Sequence, residues 1–325
     1  MYEEVRPSNK LWKTLLTIHE FVGNMRVMMR LLALLVMWAI LTEAQGQQPL
    51  KLAAWNIQRL GTSKMSKNDI VNCLVKVIRR YDVLVVMETV DKSLTVPGQL
   101  HNELNNGLNP TDTYMYDSST RMGITTYQEQ YVFYWKPSRV KWVQSYTFND
   151  LGNQFTYDPF GAVFSVNSGK NTLKFGMIAI HVSPKKAVKE IDALVDVYSD
   201  FEQKTDVIIA GDFNAGGSYV LNKDWVDIRL RTDPKFTWLI PDNVGTTTTV
   251  HDLGTCCAVH KLYVCFILHM TCTPGVVNSY GDHFFYRIVV AGKGIYNALN
   301  KNSAGPYDFK NYCGITNLVD VRNYL

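Results

Sequence analysis

Asp206-Val-Ile-Ile-Ala-Gly-Asp212 is an unbroken apolar run closed at each end by an aspartate. A run of β-branched residues without polar alternation describes a strand buried on both faces, as found inside layered α/β structures. Asp82-Val-Leu-Val-Val-Met-Glu88 repeats the pattern. An amphipathic segment precedes each run. Ser66 is the predicted cap of a helix reaching Arg80, with Ile70, Leu74, Val77 and Ile78 on one face. Ser183-Pro184 places a cap and a first-turn proline ahead of a helix to about Phe201, with Val188, Ile191, Val195 and Tyr198 facing the core. Further strands are expected at Leu50–Asn56, Tyr131–Trp135, Ala162–Val166 and Leu173–Ile180. The reading is a mixed α/β chain whose sheets lie between helix layers, with no internal repeat and no low-complexity linker.

Composition agrees with an ordinary folded chain: 325 residues, 46% hydrophobic and 19% charged, enough to bury a large core. A net charge of +4 gives no whole-molecule attraction to polyanions, so a nucleic-acid enzyme would need a local positive field, supplied in part by bound metal ions. Residues 25–46 read as a secretory signal peptide. Arg26 and Arg30 form the basic start, Leu31–Leu41 is an apolar core too short to span a bilayer, and Ala44 and Gly46 offer cleavage points. Residues 1–24 are an unstructured extension ahead of it, leaving 47–325 as the folded domain in an extracellular protein. Four of the six cysteines crowd into 256–272, which is no chain-wide disulfide framework, although an oxidising compartment permits a disulfide. Cys73, beside an apolar helix stripe, reads as a buried thiol. Zinc binding with His251, His260 and His269 is the functional alternative for the cluster, but the spacing fits no standard pattern.

Four apolar strands end on polar residues suited to metal binding and proton transfer: Asn56, Glu88, His181 and Asp212. Residues just past the ends of buried strands sit at the sheet rim, where ligands bind. Asn214 follows in Gly211-Asp-Phe-Asn-Ala215, and Glu129 precedes the Tyr131 strand. Such carboxylate and amide oxygens could hold hard cations, and a histidine could move a proton.

These segments carry a resemblance. Leu50-Lys-Leu-Ala-Ala-Trp-Asn-Ile57, the Val-Met-Glu strand end, Tyr127-Gln-Glu-Gln-Tyr131, Ile180-His-Val-Ser-Pro184 and Gly211-Asp-Phe-Asn-Ala215 occur in the order found in the deoxyribonuclease I family. So do Val77-Ile-Arg-Arg-Tyr-Asp82, Ile228-Arg-Leu-Arg-Thr232 and Phe236-Thr-Trp-Leu-Ile-Pro-Asp242. The resemblance covers 50–250 and resumes at Arg287-Ile-Val-Val290. It implies the endonuclease/exonuclease/phosphatase fold, a four-layered α/β/β/α sandwich, and calcium- and magnesium-assisted cleavage of double-stranded DNA. His181 then resembles a catalytic acid/base and Glu129 the carboxylate that orients it. Glu88, Asn56 and Asp212 resemble the metal-site residues, Asn214 a phosphate contact, and Tyr127 the aromatic along the DNA groove. The resemblance also implies a monomer.

Several positions depart from the family. Val90 and Tyr157 stand where arginines are common, which predicts weaker phosphate binding with a flatter salt dependence. Ser118 and Phe160 replace small apolar groups on the surface some members use for actin, so actin inhibition is not expected. Residues 259–285 look like an atypical insertion within the family's Cys-Ala-Tyr-Asp-Arg-Ile-Val, leaving Tyr286 in place of an aspartate. Gly217 replaces a cysteine that commonly pairs with the Cys257 position. After Gly314-Ile-Thr-Asn317 the family continues to a Ser-Asp-His segment carrying a second catalytic histidine, which Leu318–Leu325 does not reproduce. An impaired enzyme and a non-catalytic DNA-binding protein both follow as expectations. Action on inositol phosphates or abasic DNA fits the signal peptide and the Tyr-Gln-Glu-Gln-Tyr context less well.

Overall fold

The apolar runs become two six-stranded mixed sheets. In chain order the elements are β1 (Leu50–Leu60), α1 (Thr62–Met65), α2 (Asn68–Ile78), β2 (Val83–Thr89), α3 (Val96–Asn105), β3 (Met115–Ser118), β4 (Gln130–Trp135), β5 (Lys141–Thr147), β6 (Phe160–Ser168) and β7 (Asn171–His181). They continue with α4 (Ala187–Phe201), β8 (Asp206–Asp212), α5 (Arg229–Thr232), β9 (Phe236–Trp238), β10 (Thr247–Thr249), β11 (Ala258–His260), β12 (Leu262–Ile267), β13 (Tyr286–Ala291), α6 (Lys293–Ala298) and β14 (Gly305–Tyr307). This computed structural model describes residues 49–168, 171–201, 206–240, 242, 247–249, 258–260, 262–267, 286–299 and 305–307, with part of 17–37. Cys256, Cys257, Cys272, Cys313, His251 and His269, and the chain after 307, lie outside the described residues.

The first sheet runs β14-β12-β1-β2-β4-β3 and the second β5-β6-β7-β8-β13-β9, while β10 and β11 form a separate pair. Strand parity sorts the side chains into layers. Leu50, Leu52 and Ala54 of β1 face Ile208 and Ala210 of β8 in a core between the sheets. Ala53 and Trp55 turn the other way, onto Ile70, Leu74, Val77 and Ile78 of α2 and Leu100 and Leu104 of α3. Val207 and Ile209 of β8 meet Ile191, Leu194 and Val197 of α4. The result is the expected α/β/β/α sandwich, and it explains why the central strands are apolar on both faces. Helix α4 comes very close to its sheet: Phe201 lies over Gly176, where an added Cβ would meet the ring at 2.1 Å.

Four local expectations need correction. Ser66 is no helix cap for α2; it closes α1, its hydroxyl donating to Ser63 O at 2.9 Å, and Lys67 in extended conformation opens α2. Cys73 is buried as expected but is disulfide-bonded. Phe160 is a core residue, 5.9 Å from Phe133 ring to ring, because the start of β6 points it between the sheets. Part of the atypical segment is also woven into the fold: β12 pairs antiparallel with β1 from Leu50↔Ile267 to Ala54↔Tyr263. That pairing satisfies backbone donors and acceptors that β1 would otherwise leave open along one edge.

Residues 1–48 and 49–325 form separate units. In the first, residues 27–37 are helical and exposed. No helix among the described residues is long and apolar enough to cross a membrane.

Candidate active site

Two parallel strand pairs bring the site together. In the first sheet β1 and β2 run parallel, with Asn56 level with Met87, so Asn56 and Glu88 leave adjacent C-terminal ends. In the second sheet β7 and β8 run parallel with His181 level with Asp212. Because the sheets pack face to face, these two ends meet across the sandwich. Gly211 makes the second pair possible: its φ is 154°, and a Cβ there would lie 2.0 Å from Ile180 O. Glu88 and Asn214 also carry positive φ, 58° and 45°, a backbone strain that concentrates where side chains must be aimed.

All seven residues expected from the sequence lie in this region, and each contacts at least one other. Asn56 Nδ2 donates to Glu88 Oε1 at 2.7 Å and to Asp212 Oδ2 at 3.2 Å, bridging the two sheets. His181 Nδ1 and Glu129 Oε1 are 2.7 Å apart, and His181 Nε2 lies 3.8 Å from Glu88 Oε1. Tyr127 donates its hydroxyl to Glu88 Oε2 at 3.4 Å. Asn214 N–H donates to Asp212 Oδ1 at 3.1 Å, and its side-chain Nδ2 donates to Val182 O at 2.7 Å.

Three further residues shape the site. The Tyr131 hydroxyl accepts the His181 backbone N–H at 2.8 Å. Tyr157 stacks on the His181 ring, 5.2 Å centre to centre and 11° from parallel, and meets Tyr127 edge-on at 6.3 Å. Glu190, fully buried on α4, accepts from Thr156 N–H at 3.0 Å, Thr156 hydroxyl at 2.8 Å and Ser183 N–H at 2.8 Å. It therefore ties the segment carrying Tyr157 to the segment following His181. The signal for Glu190 was present in the sequence: a glutamate on the apolar face of an amphipathic helix. Tyr157 stood out only as replacing a common arginine; that its ring stacks on His181 is decided by the fold.

Three carboxylates, Glu88, Glu129 and Asp212, are buried around one imidazole. Burial works against a charged His181, but the Glu129 carboxylate in contact with it, with Glu88 and Asp212 behind, pushes it up to about 10. Burial and the charges of Glu88 and Glu129 raise the Tyr127 phenol far above its ordinary value, and burial with Glu129 and Glu88 does the same to Tyr157. Both stay protonated hydrogen-bond donors. Glu129 Oε2 is buried and has no hydrogen-bond partner among the described residues. Glu88, Glu129 and His181 each offer a ligand atom, all within 4.8 Å of one another. A buried excess of negative charge and an orphaned carboxylate oxygen offer oxygen ligands of the kind that fit a hard divalent cation.

A layered sandwich with acids, amides and a histidine at its converging strand ends defines a class of phosphoester-cleaving proteins, and the sequence matches the endonuclease/exonuclease/phosphatase family over residues 53–298. The chain is 36% identical over 295 residues to deoxyribonuclease-1 of Oryctolagus cuniculus, covering 88% of this chain and 92% of that protein. It is 42% identical over 233 residues to deoxyribonuclease-1 of Homo sapiens (69% of this chain, 80% of that protein). For the Mus musculus protein of the same name the identity is 38% over 277 residues (82% and 86%). The chain belongs to the deoxyribonuclease I family of hydrolytic nucleases.

Proposed function

We propose that the protein is a secreted endonuclease that hydrolyses phosphodiester bonds of double-stranded DNA with the help of magnesium and calcium. The observation that supports this most directly is the cluster in which Asn56 bridges Glu88 to Asp212 while Glu129 grips His181. Glu88, Asn56 and Asp212 would hold the cation. The chemistry it supplies when bound is neutralisation of phosphate charge and a lowered pKa for nearby water.

The chain's own residues do the rest. Glu129 engages Nδ1 of His181, which fixes the ring's orientation and turns Nε2 towards Glu88 and the phosphate position. The neighbouring carboxylates of Glu129, Glu88 and Asp212 favour the protonated ring, the form that could donate a proton to the leaving 3′ oxygen. Asn214 uses one amide proton on Val182 O, and its second remains for a phosphate oxygen. Tyr127, half exposed beside Glu88, packs along the DNA strand. Secretion rests on the signal-like segment 25–46.

The test is nicking of supercoiled plasmid by the purified chain with calcium and magnesium. Nicking that stops with EDTA and falls by at least about 10²-fold in His181→Ala supports the proposal. Full activity in that variant refutes the mechanism.

One observation favours a second reading. Tyr286 pairs with Asp212 in the β13–β8 register, where the resemblance calls for an aspartate. A chain that binds DNA without cutting it follows from that exchange. Retarded but intact plasmid on a gel selects this reading over the first.

A further inference from the structure

The turn after Asn56 is fastened more firmly than a strand end requires. Gln58 and Arg59 both have positive φ, 51° and 59°, which residues with a Cβ rarely adopt in succession. Three sets of contacts hold them there. Gln58 N–H donates to Asn56 Oδ1 at 2.8 Å, and Arg59 N–H donates to Glu88 Oε2 at 3.1 Å. The buried ammonium of Lys64 donates to Ile57 O at 2.6 Å and Gln58 O at 2.5 Å. A lysine withdrawn from solvent to bind two carbonyls makes a costly clamp, which a loose rim would not need.

The clamp aims one side chain. Arg59 is exposed, and its guanidinium carbon lies 5.6 Å from the centre of the Tyr127 ring. The hydroxyl of that ring is 3.4 Å from Glu88 Oε2. Among the described residues no carboxylate pairs with Arg59. A guanidinium laid on a ring keeps its edge donors directed outward, in a fork that matches two oxygens of one phosphate. It stands beside a site whose buried charged groups are mostly carboxylates, in a chain with little net charge. A polyanion approaching that pocket needs a cation at its rim.

We propose that Arg59, held over Tyr127 by the Lys64-clamped turn, binds a backbone phosphate of the DNA strand entering the Glu88–His181 site. This rests on the nuclease reading above and adds to it a residue that neither the strand-end pattern nor the resemblance singled out.

The experiment measures binding, not cleavage. The full chain in calcium is titrated against a fluorescein-labelled phosphorothioate duplex over a series of potassium chloride concentrations, followed by anisotropy. Arg59→Gln is expected to weaken binding and to flatten the slope of log K against log salt by about 0.9, the loss of one phosphate contact. Arg59→Lys, which keeps the charge, is expected to retain the parent slope. Circular dichroism confirms that both variants fold. A parent slope in Arg59→Gln overturns the contact while leaving the nuclease reading intact. Failure of the parent chain to bind the duplex at any salt overturns that reading, and this contact with it.

Discussion

The carboxylate of Asp91 anchors the turn that follows Glu88, and its removal has a calculable cost. It accepts from Ser93 N–H at 2.9 Å, Ser93 hydroxyl at 2.6 Å, Thr95 N–H at 2.6 Å, Thr95 hydroxyl at 3.3 Å and Val96 N–H at 2.9 Å. Burial alone would raise its pKa, but these donors outweigh it and hold the group down at about 2. Against an ordinary value of 3.8, the shift corresponds to about 2 kcal/mol of stability. Because the folded-state pKa is the lower one, that stability is fully present above the unfolded pKa and is lost as pH falls through the folded value. At pH 3 roughly half of it remains. Asp91→Asn keeps the shape but turns an amide N–H towards donors, so it should cost about 2 kcal/mol at neutral pH. In a domain of this size that lowers Tm by roughly 4 °C. Urea unfolding followed by circular dichroism at pH 7 and at pH 3 reads both parts of the expectation. An unchanged midpoint at pH 7, or a gap between parent and variant that does not narrow in acid, would refute the reasoning.

Three other perturbations separate aiming from binding. Glu129→Gln removes the charge that orients His181 and is expected to slow plasmid nicking by about 10²-fold or more while duplex affinity holds; equal losses in both would show the residue to be merely structural. Gly211→Ala drives a Cβ against Ile180 O and should cost 3 kcal/mol or more, by the general scale for backbone strain and steric conflict, read as loss of a cooperative unfolding transition near the parent Tm. Glu190→Ala leaves the Thr156 and Ser183 donors without their acceptor, costing about 2 kcal/mol, and should make the chain around 149–158 a preferred site for limited proteolysis. An unchanged digestion pattern would separate Glu190 from the placement of Tyr157.

The layers were legible because burial on both faces leaves a mark that no half-exposed strand has. Asp206–Asp212 and Asp82–Glu88 could only be interior strands, and helices had to cover them. Boundaries were harder. Ser66 has the chemistry of a cap, yet α1 formed ahead of it and left Lys67 to open α2, since local capping preference is weaker than the packing of Ile70 and Leu74 beneath. The run Leu262–Ile267 showed no period that would announce a strand. Its place beside β1 is set by an unsatisfied backbone edge, a quantity that belongs to the sheet and not to the segment.

The site divides along the same line. Asn56, Glu88, His181 and Asp212 could be found one at a time because each ends an apolar run, and a charged or amide side chain at that position has few structural reasons to be there. Tyr157 and Lys64 act at a distance in sequence from the groups they touch. Tyr157 stacks on His181 only because Glu190 pins Thr156, and Lys64 holds the Ile57–Gln58 carbonyls only because α1 turns back under β1. Strand ends fix which atoms meet; buried hydrogen bonds from other elements fix their angles. Proton transfer is sensitive to both, so substitutions at Glu190 or Lys64 should alter the reaction without removing any group that takes part in it.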